Sequence, residues 1–175
     1  MGAGSGGTAG DQETATALDT PPGIRKRAPD GRLPGVGDTE RVTARRIPCV
    51  GAVIKDPAGR LLLIKRGHEP GAGLWSLPGG RIEPGETHQQ ALAREVLEET
   101  NLRVECRHLL GTAELPGTDG TVIDVSDYLV IVTGGELAAG DDAADARWVA
   151  AADLDSLPLT SGLTGYLTAW GVYPA

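Results

Sequence analysis

Residues 79–102 read GGRIEPGETHQQALAREVLEETNL. No Gly or Pro interrupts 88–100, and Thr87 with Gln90 three residues on makes a capping box, so the spacing predicts a helix over 88–100. Asn101 is the predicted stop, because Asn tolerates the left-handed conformation that ends helices. At about 100° per residue, with Glu95 set at zero, Glu99 falls at about +40° and Glu98 at about −60°. Three carboxylates therefore share one face. Leu92, Ala93, Val96 and Leu97 fall on another arc and are predicted to face the core.

Like charges at i,i+3 and i,i+4 destabilise a helix by a few tenths of a kcal/mol each. These also sit toward the C-terminal end, where the helix dipole disfavours anions. A hard divalent cation offsets both costs, because it takes oxygen ligands. Glu86 adds a fourth carboxylate near the helix start, and Arg94 is spaced to reach Glu98 one turn on. A solvated charged face is the plain alternative for the helix taken alone, and spacing decides against it. Gly80, Glu86, Arg94, Glu95, Val96, Glu98, Glu99 and Leu102 fit the pattern G-x5-E-x7-R-E-U-x-E-E-x-G-U, where U is aliphatic. Six matches at residue-specific positions in one register arise by chance on the order of 10⁻⁷. In these residues the sequence resembles the Nudix hydrolases, the MutT-type nucleoside diphosphate-X pyrophosphohydrolases. The preceding LWSLPG (74–79) is similar to the family's usual lead-in. Asn101 departs from the family's second glycine; the change touches the helix end and no ligand.

Outward from this stretch, 48–55 (PCVGAVIK) and 60–66 (RLLLIKR) read as strands joined by a turn at 56–59 (DPAG). Residues 67–86 form a long Gly- and Pro-rich connection of the kind that is usually functional or disordered. Strands are expected at 102–110, 121–133 and 146–150, with a hairpin turn at 116–120. Leu163, Tyr166, Leu167 and Trp170 recur at helical spacing and predict a closing helix. The order is β-β-loop-α-β-β-β-α, an α/β class chain; the resemblance makes it a Nudix-like α/β/α sandwich with a mixed β-sheet.

Composition divides the 175 residues near 46. Residues 1–46 hold 9 Gly and 4 Pro but only five Leu, Ile or Val and no aromatic. Such a segment buries too little apolar surface to offset its ordering entropy, so it reads as a flexible N-terminal extension. Its Arg25-Lys26-Arg27 cluster reads as a solvated charge run rather than a docking patch. The domain is expected over 47–175. Of the net charge of −8, the extension contributes +1 and the rest −9. A pI near 4.8 argues against a protein that grips a nucleic-acid backbone. A bound cation would still admit small anionic ligands. Cys49 and Cys106 lie outside any metal or disulfide spacing. The longest purely aliphatic run, 61–64, is far below the ~20 residues that cross a bilayer. No secretory leader opens the sequence, so a cytoplasmic location without a membrane partner is expected.

The resemblance implies hydrolysis of a nucleoside diphosphate linked to another group, with Mg²⁺ or Mn²⁺. By family position Glu98 and Glu99 are metal ligands, and Glu95 is a ligand or lies beside the attacking water. The backbone carbonyl of Gly79 or Gly80 is a further ligand candidate. Glu86 is an outer ligand or a support to the loop, and Arg94 orients a glutamate. The general base is a box glutamate or a later-loop carboxylate among Glu114, Asp119, Glu136, Asp141 and Asp142. Lys65, Arg66 and Arg81 flank the loop and are candidates to meet phosphates. Trp75, Tyr128 or Trp148 is a candidate to stack on a base, against a core role for each. His68, His88 and His108 lack metal spacing and receive no role. The implied substrate is a small-molecule nucleotide, either a triphosphate, ordinary or oxidised, or a nucleotide sugar such as ADP-ribose. Pro116 lies near where ADP-ribose cleavers carry a proline, and its turn position explains it as well; the single domain tilts the reading toward a triphosphate. A homodimer is compatible with the resemblance. The alternative is a non-catalytic nucleotide-binding or regulatory domain, which would be expected to have lost box glutamates; all four are kept. An isomerase is a remote third, since no second acid-base partner is visible.

Overall fold

The computed structural model describes residues 24–25 and 44–173. The aliphatic runs near the start of the domain form β2 (Arg46–Ile54) and β3 (Leu61–Arg66), after a two-residue strand β1 (Ile24–Arg25). The turn between β2 and β3 is the predicted one: Gly59 takes φ 77° and donates to the Asp56 carbonyl at 2.9 Å. The connection 67–86 is ordered around two short strands, β4 (Trp75–Ser76) and β5 (Gly79–Arg81). Helix α1 (His88–Thr100) has both halves of the capping box, and Asn101 closes it at φ 59°.

β6 (Leu102–Pro116) and β7 (Val122–Gly135) run longer than the expected strands. Register shifts at Arg103/Val104, Cys106/His108 and Leu109/Gly111 reset the in–out alternation of β6, which hides its second half from periodicity. β8 (Ala143–Val149) starts ahead of the predicted strand, a 3-10 turn follows at Ala151–Ser156, and α2 (Leu163–Ala169) is the predicted closing helix.

The strands make the expected mixed sheet and, beside it, a second smaller one. The five-stranded sheet has the order β1-β6-β7-β2-β5 and is mixed, since β2 and β7 run parallel while its other pairs are antiparallel. β2 has β7 on one edge and β5 on the other, so β3 is joined to it by the Lys55–Leu61 bridge just past the end of β2 and pairs with β4 and β8 in a second, antiparallel sheet. Alternation along β2 supplies two cores. Val50, Ala52 and Ile54 pack with Leu92 and Val96 of α1, whereas Val53 packs with Leu163 and Leu167 of α2. The result is an α/β/α sandwich. No helix among the described residues is long and apolar enough to cross a membrane. Beyond β1 and 44–46, the expectation for residues 1–46 lies outside the described residues, as do Lys26 and Arg27 of the basic cluster.

Candidate active site

The predicted core arc of α1 needs correction. Ala91, Leu92, Val96 and Thr100 are buried, but Ala93 is exposed and Leu97 is 45% exposed. The arc that faces the sheet therefore includes the acidic residues: Glu99 is only 7% exposed. Room for it comes from the neighbouring backbone. Gly79 has φ 144°, and its N–H donates to Glu99 Oε2 at 2.8 Å. Gly80 lies so close to the Glu95 carboxylate that a Cβ there would overlap it. Burial pushes the Glu99 carboxyl up to about 8; Glu95 and Asp142 add to the rise, while the Gly79 N–H and Arg66 oppose it. Glu95 is also raised, first by burial, with Arg94 opposing.

Arg94 is the hub of the other acids. Its Nε and Nη2 each meet a Glu86 oxygen at 2.8 Å, Nη1 reaches Glu95 at 2.9 Å and Glu98 at 3.3 Å, and Nη2 also donates to the Arg81 carbonyl at 3.0 Å. It reaches Glu98 as the i,i+4 spacing predicts, but its shortest bonds are the two to Glu86. Both Glu86 oxygens are engaged, one of them also by the Glu83 N–H, and Arg94 holds its carboxyl down at about 2. Among the described residues no three acid, His or Cys side chains form a closed metal cage. Arg94 draws Glu86, Glu95 and Glu98 toward itself while Glu99 turns to Gly79.

The loop after β7 completes the site. Ala138 and Gly140 N–H donate to the Thr100 and Glu99 carbonyls at 3.1 Å, and the Asn101 amide donates to the Glu136 carbonyl at 3.1 Å. These bonds satisfy the free carbonyls at the end of α1 and carry Asp142 toward Glu95 and Glu99, whose carboxyls its charge raises. Of the later-loop acids, Asp142 alone lines the cavity beside the glutamates, a space of about 530 Å³. Glu114 instead pairs with Arg46, which also holds Asp124. Arg66 and Arg81 line the cavity; Lys65 and Trp75 do not. Lys65 and Trp75 are cross-strand partners. Alternation puts Lys65 on the face opposite the cavity-lining Ile64. Trp75 is 2% exposed in the α2 core with the Arg147 guanidinium 4.1 Å above its ring, so its expected stacking role is corrected to a core one. Tyr128 and Trp148 pack on the α1 core, and Tyr128 is bonded to His88 Nδ1 at 2.9 Å.

The NUDIX domain model matches residues 45–170. The chain belongs to the Nudix family. It is 44% identical over 110 residues to the ADP-ribose pyrophosphatase of Methanocaldococcus jannaschii, a match covering 62% of each chain. It is 34% identical over 103 residues to the oxidized purine nucleoside triphosphate hydrolase of Danio rerio, covering 58% of this chain and 64% of that one. The crystal structure of a MutT NUDIX hydrolase from Burkholderia pseudomallei superposes with a TM-score of 0.62 at 31% identity, covering 71% of this chain and 98% of that one. The chain spans a little under two thirds of the length of these curated relatives.

The Nudix acids of this chain suit a hard cation. Glu99 is a buried carboxylate with one hydrogen bond among the described residues, and Glu95 and Asp142 raise its proton affinity further against the opposing charge of Arg66, so the group is short of positive charge. One acid of the Nudix cavity is absent from the sequence-derived set. Asp127, 4% exposed, lines it on the α2 side of the sheet. Its signal is the interruption of an inward apolar series, Ile123, Val125, Asp127, Leu129.

Proposed function

We propose that this Nudix chain is a divalent-metal-dependent pyrophosphohydrolase of a purine nucleoside diphosphate derivative. The observation that carries the reading is Glu99, buried beside Glu95 at a cavity of about 530 Å³ with no ion-pair partner among the described residues. Purine nucleotides are common to the names of the two curated relatives. Glu95, Glu98 and Glu99, with a Gly80 carbonyl, would hold Mg²⁺ or Mn²⁺. When bound, the metal supplies charge neutralisation of the diphosphate and a more acidic water. Arg66 and Arg81 meet phosphate oxygens from the cavity wall. Water adds to one phosphorus as the bridging P–O bond breaks, and Asp142 takes the proton from that water.

Arg94 is a positioning residue in this scheme, with Glu86 as its anchor. Lys keeps the charge but loses the forked pair. Arg94→Lys is therefore expected to lower turnover by about 10–100-fold and stability by on the order of 1 kcal/mol. Steady-state assays and denaturant unfolding check both.

The reading as a whole is tested on a panel of nucleoside triphosphates, oxidised triphosphates and nucleotide sugars, with mass-spectrometric identification of products with Mg²⁺ and with chelator. Release of a nucleoside monophosphate from at least one member, abolished by chelator, is the expected result. Tight nucleotide binding without turnover on any member would favour the non-catalytic alternative.

A further inference from the structure

Asp127 sits in an unusual row. Across the sheet its partners in register are Gly111 on β6 and Gly51 on β2, and Gly51 in turn faces Gly79 on β5. A strand position flanked by glycines on both sides has no cross-strand side chain in register beside it. The carboxylate leans over Gly51, where a Cβ would overlap it. Among the described residues no donor reaches its oxygens, and burial alone pushes its carboxyl up to about 7. A buried carboxyl without a hydrogen bond costs stability, so the fold gains nothing from an acid here that Val or Leu would not supply better.

The surroundings describe what would compensate it. Tyr166 and Trp170 stack at 5.8 Å and 18° and line the same cavity, and the phenol of Tyr166 is raised first by burial and then by the charge of Asp127. Trp170 rests on Gly111, the cross-strand partner of Asp127. Trp170 Nε1 and Oγ of a further lining residue, Ser76, are buried without a hydrogen-bond partner among the described residues. Flat aromatic rings beside an unpartnered acceptor pair fit a planar ligand with N–H donors on its edge.

We infer that Asp127 is a specificity-determining residue that reads the nucleobase, its two oxygens accepting from adjacent N–H donors of a guanine-type edge. The inference rests on the nucleotide reading of the cavity. Guanine presents N1–H and the N2 amino group side by side, which a carboxylate accepts as a pair. Adenine presents one amino donor beside a ring acceptor, which a carboxylate matches with one bond only. Hypoxanthine keeps N1–H and lacks the amino group.

The test is calorimetric titration of the full chain with guanosine, inosine, adenosine and uridine 5′-monophosphates, which the proposed hydrolysis does not consume. Failure of turnover and failure of base recognition are thereby read separately. Wild type is expected to bind GMP about tenfold tighter than IMP and about 10–100-fold tighter than AMP. Asp127→Asn offers one acceptor and one donor, so it should lose that margin for GMP and shift its preference to AMP. The wild-type series stands even where the variant is poorly folded. Equal binding of GMP, IMP and AMP by wild type, or tighter binding of AMP, overturns the proposal. So does a folded Asp127→Asn that loses the same factor for all four nucleotides, which marks a structural role.

Discussion

Glu99→Gln is expected to lower kcat by roughly 10²–10³-fold, the scale seen when one preorganised charge-stabilising group is removed, while the metal-free protein becomes more stable above neutral pH. The two effects have one cause. In the metal-free chain Glu99 is buried and its carboxyl is raised from 4.5 to about 8. The folded state therefore holds a proton that the unfolded chain has released, and stability falls with rising pH wherever the folded state holds more protons. The contribution is fully present below the unfolded value and is lost as pH rises through about 8. Asp127, raised from 3.8 to about 7, adds a loss of the same sign over a lower window. Glutamine stays neutral, accepts the Gly79 N–H through its carbonyl oxygen and removes the Glu99 part of that slope. The metal-free wild type should thus lose several degrees of Tm between about pH 5 and pH 8.5, a few kcal/mol in free energy, and the variant distinctly less. Mg²⁺ or Mn²⁺ should restore the wild type most at the alkaline end and the variant little. Thermal melts with and without chelator across that range check the sign. A variant that turns over normally, or melts with the wild-type pH slope, would sink the role assigned to Glu99.

Gly79→Ala is expected to cost about 3 kcal/mol or more and to abolish turnover. Gly79 sits at φ 144°, where a side chain is strained, and a Cβ there would run into the Val50 carbonyl across the β2–β5 pair. Backbone, not a flexible side chain, blocks the space, so relief requires β5 to move off β2. That movement also withdraws the N–H that holds Glu99. Gly85, at φ 90° with nothing near its Cβ position, gives the control. Gly85→Ala carries the conformational strain without the collision and should leave the Glu99 geometry intact. Urea unfolding of both variants separates strain from collision.

The candidate site was legible in the chain to different depths. Thr87, Gln90 and Asn101 act on their own helix ends, and their expected roles match the geometry of α1. Arg66, Arg81 and Glu95 reach the cavity as residues bordering the same loop and helix. The orientation of α1 was not legible. Helical angles order Leu97 and Glu99 relative to each other, but which arc turns inward depends on the Gly79–Gly80 backbone that admits two carboxylates. The choice between stacking and core for Trp75 is open in the sequence for a related reason: an aromatic in a loop looks available until β4 pairs with β3 and Arg147 covers the ring.

By itself the sequence determined the box, the capped helix that carries it, the α/β class and the family. These follow from spacings within one element, where 3.6 residues per turn and local cap chemistry act over a few residues. Only the tertiary structure decided that Arg94 is anchored by Glu86, that Asp142 is the later acid beside the glutamates, and that Asp127 stands in a glycine row inside the cavity. Those neighbours come from different strands and loops. Their meeting depends on sheet order and on a register that β6 shifts three times, which no local period encodes.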